Sequence, residues 1–505
     1  MPAHLFQGLL GKIADPGKIF LETPDGNILT YGSLLEDTAR YAHALTAQGL
    51  KPGDRLAVQV EKSPEAIILY LAAARAGVVF LPLNPAYTVA ELDYFIADAE
   101  PALVIVDPTR RAAIEPIARA RGATLETLDA RGAGSFVERA RGQKTDFADA
   151  ERGPDDLAAL LYTSGTTGRS KGAMLTQENL LSNAQVLTRY WRFTAEDVLL
   201  HALPIFHTHG LFVATNVVLA AGASMIFLPK FDTAQIMGLL PRATSLMGVP
   251  TFYVRLLQQP ELSVETTRHI RLFVSGSAPL LAETHRAWSA RTGHAILERY
   301  GMTETNMNTS NPYDGDRIPG TVGFPLPGVE LRIADPESGT ELPLGETGMI
   351  EVRGPNVFAG YWRNPEKTRA EFRPDGFFIT GDLGMIDARG YVHILGRGKD
   401  LIISGGFNVY PKEVESEIDS LPGVVESAVI GVPHPDLGEG VTAVVVCVGK
   451  GAIDEVEIQR RLKARLAGYK LPKRVVFVAD LPRNAMGKVQ KNLLRESCKD
   501  LYRLR

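Results

Sequence analysis

Alternating strand and helix signals predict an α/β fold for most of this 505-residue chain. Short apolar runs of strand length recur, and helices with recognisable start signals follow them, which is the pattern of parallel sheets with helical crossovers. The character then changes twice, to a β-rich stretch after about residue 325 and to a small α+β unit after about residue 400.

The elements follow in chain order. Arg55–Val60 reads as a strand. Ser63 then caps a helix with Pro64 at its first position and Ile67, Leu71 and Ala74 along it. Val79–Leu83 is the next strand, and Thr88 with Glu91 forms a capping box for the following helix. Leu103–Val106 is a buried strand, with a helix from Thr109. The stretch 130–153 is rich in Ala, Arg and Gly and is expected to be a variable surface segment. Apolar strand runs resume at 198–205, 225–228, 245–249 and 271–275. Beyond 325, Val329–Ile333, Met349–Val352, Phe377–Thr380 and Tyr391–Leu395 are turn-bounded strands. Gly396–Asp400 is short, charged and Gly-rich, and suits a linker or hinge. The last unit predicts a helix at 411–420, strands at 424–432 and 440–448, a helix at 454–467, a strand at 474–478 and a helix from about 488.

Composition excludes several classes. A net charge of -4 argues against a general nucleic-acid binder. No apolar run approaches the roughly 18 residues of a membrane span, and Met1–Gly8 lacks the regions of a signal peptide. Cys447 and Cys498 are the only cysteines, which implies no disulfide framework and a cytoplasmic location.

Tyr162–Gly172, YTSGTTGRSKG, is the most informative stretch. Three glycines, five Ser/Thr hydroxyls and two cations lie between apolar runs, a composition that offers N–H groups, hydroxyls and charge to a polyanion. It does not fit the spacing G-x-x-x-x-G-K-S/T, because Ser170 stands five residues after Gly165. Leu203–Leu211 carries His207 and His209, which would share one face of an extended segment. With His201 they could hold a metal, but no acidic or Cys ligand is near in sequence, and satisfied loop histidines are the better reading. In Glu298–Thr305, Thr303 could bond a phosphate and Glu304 could hold Mg²⁺ against it. Asp382, at the end of an apolar strand, could accept both hydroxyls of a ribose, with Arg397 in support. Ile402–Pro411 sets Gly405 and Gly406 before a helix, where the backbone could approach a ligand closely, or simply turn. Lys488 follows a Gly turn near the C-terminus and by itself would read as surface charge.

Together and in this order, these motifs resemble the adenylate-forming superfamily of acyl-CoA synthetases, amino-acid adenylation domains and luciferase-type enzymes. Within it, the histidine segment, Gly276–Leu280, Arg286 and Met302–Ser310 most closely resemble bacterial malonyl-CoA (methylmalonyl-CoA) synthetases. The resemblance implies a large N-terminal domain, 1–396, of two α/β sheet subdomains plus a β-rich subdomain. It also implies a hinge at 397–400 centred on Lys399, and a small mobile α+β domain, 401–505. It implies ATP, Mg²⁺ and coenzyme A, and two steps: a carboxylate attacks the α-phosphorus of ATP, then the CoA thiol attacks the acyl-adenylate. The first step rests on charge stabilisation around the phosphates.

By the same resemblance, Thr163, Ser164, Gly165, Thr166, Thr167, Gly168 and Lys171 wrap the β- and γ-phosphates, with Thr167 beside Glu304 at the metal. Gly276, Ser277, Ala278, Arg299, Tyr300, Gly301 and Met302 belong to the nucleotide site, and Thr303 to the α-phosphate. Asp382 and Arg397 hold ribose, and Lys488 reaches the reacting carboxylate and the α-phosphate. After the first step the small domain is expected to rotate, removing Lys488 and bringing Ser404, Gly405, Gly406 and Phe407 to a thiol tunnel gated by His207. Acylation would neutralise Lys488, so a lysine acyltransferase and deacetylase are expected partners.

The acid must be read from the pocket. After Glu304 the chain is polar and short, unlike a site for long apolar acids. A second carboxylate buried there needs a cation and hydrogen bonds. Arg286 is the expected cation, assisted by His209 and Ser277, with Thr208 and Met307 bounding the acid's second carbon. Malonate and methylmalonate fit this. Another short acid, or a carrier protein's arm in place of CoA, are the alternatives; neither nucleic acid nor membrane is an expected partner.

Overall fold

The computed structural model describes residues 4–11, 13–163, 170–449, 451–484 and 487–502. It is an α/β protein with a large N-terminal and a small C-terminal domain. A six-stranded sheet runs in the order Thr124–Thr127, Leu103–Val106, Arg55–Gln59, Val79–Pro82, Leu157–Thr163, Lys171–Thr176, parallel except for its last pair. A nine-stranded sheet lies beside it. Its centre is parallel, with Val198–His201 between Ser245–Gly248 and Ser224–Phe227. Toward one edge come Leu272–Ser275, Leu297–Met302 and Asn306–Ser310, the last antiparallel to its neighbour. Glu330–Ala334, Gly348–Arg353, Phe378–Ile386 and Val392–Arg397 form an antiparallel four-stranded sheet. The C-terminal domain carries a five-stranded sheet around Gly438–Cys447.

Local sequence explains the element starts. Ser63 accepts a hydrogen bond from the Ala66 N–H, and Pro64 opens the helix Pro64–Ala76. Thr88 and Glu91 close the capping box of Val89–Ala99. The parallel strands are buried on both faces, as Leu103–Val106 and Leu272–Ser275 show, so the helices on either side bury the apolar runs. None of the described helices is long and apolar enough to cross a membrane.

Two expectations are corrected and one is sharpened. Residues 130–153 lie mostly at the surface, as expected, but they are anchored there. Helix Ser135–Arg141 buries Phe136 and Ala140 fully, and Phe136 meets Tyr41 edge-on at 5.2 Å. Asp149 pairs with Arg75 at 2.6 Å. The segment therefore packs on the helices Tyr31–Ala47 and Pro64–Ala76, although its small and basic residues give little periodic signal. The histidine segment is not extended, because the chain leaves the strand at His201 and enters a π-helical turn, His209–Thr215. The helix predicted at 454–467 ends at Lys463, before the turn that leads to Pro472.

Candidate active site

Residues that follow the C-terminal ends of the central parallel strands gather where ligands of open α/β sheets bind, the region here termed the cleft. The strand Leu297–Met302 and the turn after it supply most of the cleft's chemistry. Glu304 is buried and its carboxylate pKa is raised by burial. The Tyr361 hydroxyl lies 3.1 Å from Glu304 Oε1 and donates to Glu371 at 2.6 Å. Lys171 lies 3.9 Å from the same Glu371 and 5.1 Å from the Tyr361 ring centre. Thr303 is half-buried next to Glu304. Among the described residues no group of three or more His, Cys, Asp or Glu could hold a metal. One carboxylate beside a phosphate is nevertheless a fitting donor set for Mg²⁺, which keeps several oxygen ligands from water and substrate.

Asp382 and Arg397 face the cleft from adjacent antiparallel strands, in register with each other. Arg397 Nε lies 2.8 Å from Asp382 Oδ1, and Tyr300 donates to Asp382 Oδ2 at 2.5 Å. Asp382 raises the Arg397 pKa, and burial followed by Asp382 raises that of Tyr300. Tyr300, Gly301 and Met302 are half-buried on the strand, and so is Ala278 on the facing loop.

The C-terminal domain reaches the same cleft through Lys488. Its turn at Gly487 packs toward Thr251, 3.8 Å from where a β-carbon would sit. Burial lowers the Lys488 pKa, and Arg397 adds to this, while Asp382 and Glu304 oppose it. Lys488 is exposed along the cleft, so water tempers the depression. Its charge is felt by His207, whose pKa falls to about 3 through burial, then Lys488 and Arg299.

Deeper in, Arg299 is 3% exposed, and its Nε and Nη2 have no hydrogen-bond partner among the described residues. Burial lowers its pKa to about 9. A β-carbon on Gly276 would sit 2.3 Å from its Cζ, so only glycine leaves room for the guanidinium. His209 lies beside it, buried, with Nδ1 3.2 Å from Ser277 Oγ and Nε2 unpartnered. Ser277 holds a left-handed backbone, φ +70°, uncommon for a residue with a side chain. Thr208 Oγ1 is also buried and unpartnered. Met307 is buried and packs on Gly301, where its Cε would meet an added β-carbon at 2.6 Å.

Arg286 makes no hydrogen bond or ion pair with this cluster. Helix Ala282–Thr292 turns His285 and Trp288 inward and leaves Arg286 exposed, with no hydrogen bond or ion pair among the described residues. The sequence reading places Arg299 at the nucleotide site, and nothing local to its motif says that its guanidinium is buried with unpartnered nitrogens. The wider signal was an arginine inside a strand of a parallel sheet, a costly placement without a partner. Tyr361 and Glu371 were overlooked. Ser404 is buried, and Phe407 is 56% exposed and stacks on Tyr469 of its own domain at 4.7 Å. Gly405 and Gly406 adopt φ of +58° and +82°. Lys399 is exposed in a single 3-10 turn, Gly398–Asp400, and Asp400 is tied to Arg495 at 2.6 Å. Thr163 pairs with Lys171 across the hairpin. The assignments to Ser164, Gly165, Thr166, Thr167 and Gly168 lie outside the described residues.

A carboxylate, an Asp–Arg–Tyr cluster and a lysine from a second domain, around one cleft at the ends of parallel strands, define a nucleotide-using enzyme. The chain belongs to the AMP-binding enzyme family: the family model matches residues 14–362, and the model of the AMP-binding enzyme C-terminal domain matches 413–488. It is similar to ATP-bound MatB from Rhodopseudomonas palustris at 66% identity and TM-score 0.98, with 100% of both chains covered. Against apo MatB from that organism, also at 66% identity and with 100% of both chains covered, the TM-score is 0.88. The fold thus follows the ATP-bound form more closely. A feruloyl-CoA synthase of Amycolatopsis sp is 38% identical, with 93% of this chain and 94% of that protein covered. A malonate–CoA ligase of Mus musculus is 36% identical, with 90% and 84% covered.

Proposed function

We propose that this protein is a malonate:CoA ligase, converting ATP, malonate and CoA to malonyl-CoA, AMP and pyrophosphate, with methylmalonate as a second acid. Arg299 is the observation that carries this reading: a buried guanidinium with unpartnered N–H groups beside Ser277 and His209. A buried cation of this kind calls for an anion. The distal carboxylate of a small diacid supplies one, while an aromatic or fatty acid would leave it unpaired.

In the first step a malonate oxygen attacks the α-phosphorus and pyrophosphate leaves. Lys488 donates toward the charge that develops there, and Asp382 with Arg397 holds the ribose. Glu304 would hold Mg²⁺, which when bound would neutralise charge at the phosphates. In the second step the CoA thiol attacks the adenylate carbonyl, AMP leaves, and the thiol proton passes to solvent. His207, held neutral by burial and by Lys488, is suited to gate the thiol's path. Acylation of Lys488 would remove the cation and stop the first step.

ATP–pyrophosphate exchange with malonate, methylmalonate, propionate, succinate and ferulate tests the acid. Malonate should give the highest kcat/KM; propionate or ferulate in first place would refute the assignment. Rotation about Lys399 would join the two steps. Lys399→Pro should leave exchange near normal and sharply reduce malonyl-CoA formation, because proline fixes φ and removes the freedom a hinge needs.

A further inference from the structure

Behind the histidines lies a buried lysine that no step above uses. Lys62 follows the strand Arg55–Gln59 of the six-stranded sheet and is 8% exposed. Its ammonium lies 2.9 Å from both His201 Nδ1 and the His201 carbonyl, and 4.2 Å from the Phe227 ring centre. It makes no ion pair with a carboxylate among the described residues. His201 ends a strand of the other large sheet, and its Nε2 lies 2.9 Å from the Gly210 carbonyl. Gly210 belongs to the π-helical turn that begins at His209, packed so tightly that a β-carbon would sit 2.1 Å from the Pro204 carbonyl.

A carbonyl can only accept, so the contact with Gly210 places the His201 ring proton on Nε2. That leaves Nδ1 as an acceptor, and Lys62 donates to it. The donors run in one direction, from Lys62 through His201 to the backbone of the histidine turn. We propose that Lys62 and His201 are a positioning pair that joins the two large sheets and fixes the turn that begins at His209, with His207 just before it, against the acid pocket. A lysine buried without a carboxylate lowers stability, so its contribution lies in placing the turn.

This rests on the reading that His207 and His209 face the acid, and it is measured with whichever acid the wild-type enzyme activates best. A failed malonate assignment would show in the acid panel and leave this test intact. In Lys62→Met, KM for the acid should rise about tenfold or more while KM for ATP stays within about twofold. His201→Phe should reproduce that split. His201→Gln keeps an N–H for the Gly210 carbonyl and should recover most of the acid KM. Equal changes in both KM values, or no change in either, would overturn the proposal, as would a Gln variant no better than Phe. Loss of folding in all three variants would make the pair purely structural and overturn it too.

Discussion

Arg397 and Arg299 both act on the charge of Lys488 and are held in opposite ways. Arg397 is paired before any ligand arrives: Asp382 lies 2.8 Å from its Nε, and Tyr300 bonds the same carboxylate. Arg299 is more deeply buried and makes no ion pair with a carboxylate among the described residues; Glu298 acts on it only through space, and two of its nitrogens are unpartnered. The first arrangement is preformed and electrostatically satisfied, suited to a neutral sugar that exchanges hydrogen bonds without changing the charge balance. The second leaves hydrogen-bond donors free for an anion. On the function proposed above, the nucleotide side would be set by the protein's own pairs, and selection of the acid would fall to the unpaired cation.

Breaking the unpaired side should have the larger effect. Arg299→Met would leave a distal carboxylate without a partner, costing about 3–5 kcal/mol or roughly two to four orders of magnitude in kcat/KM for malonate. Propionate, with no distal charge, should lose far less, so the malonate-to-propionate ratio measures the effect. An unchanged ratio would remove Arg299 from substrate selection.

Lys488→Ala should slow adenylation by about 10²–10³-fold, as loss of one charge-stabilising donor does. Thioester formation from supplied malonyl-adenylate should be largely spared. Equal damage to both half-reactions, followed by rapid quench, would refute that division.

Glu298 sharpens the contrast from the other face of the Arg299 strand. It is buried, accepts the Leu280 N–H at 2.9 Å, and its pKa is pushed from 4.5 to about 7 by burial. Because the folded form holds its proton more tightly than the unfolded form, the native protein binds more protons between those two values. Stability should fall as pH rises through that window and level off above it. Glu298→Gln should remove this slope. Relative to wild type, it should gain on the order of 3 kcal/mol between pH 4.5 and pH 8, read from urea midpoints; parallel curves for the two proteins would exclude the effect.

The smallest effect belongs to Arg286. It is exposed and unpaired, so Arg286→Ala should change stability within about 0.5 kcal/mol and leave the malonate-to-propionate ratio unaltered. A fall in that ratio would return the diacid contact to Arg286.

The two arginines also mark where sequence reasoning stops. Ser63, Pro64, Thr88 and Glu91 specify their helix starts through bonds spanning three residues, and a single sequence carries such information in full. Strands such as Leu103–Val106 and Arg474–Val478 were legible for the same reason: their apolar runs are contiguous. The order of the motifs identified the family, because each is a short local pattern. Which arginine meets the acid is a different kind of question. For Arg286 it depends on which face of helix Ala282–Thr292 packs inward, where Trp288 seats against Tyr253 and Phe273 at 5.0 and 4.9 Å. The Lys62–His201 contact joins residues 139 positions apart across two sheets. The packing of 130–153 likewise depends on a surface offered by earlier helices. Local bonding is written in neighbouring residues and was determined by the sequence alone; the desolvation that makes a charge functional arises only when distant segments close around it, and the tertiary structure decided it.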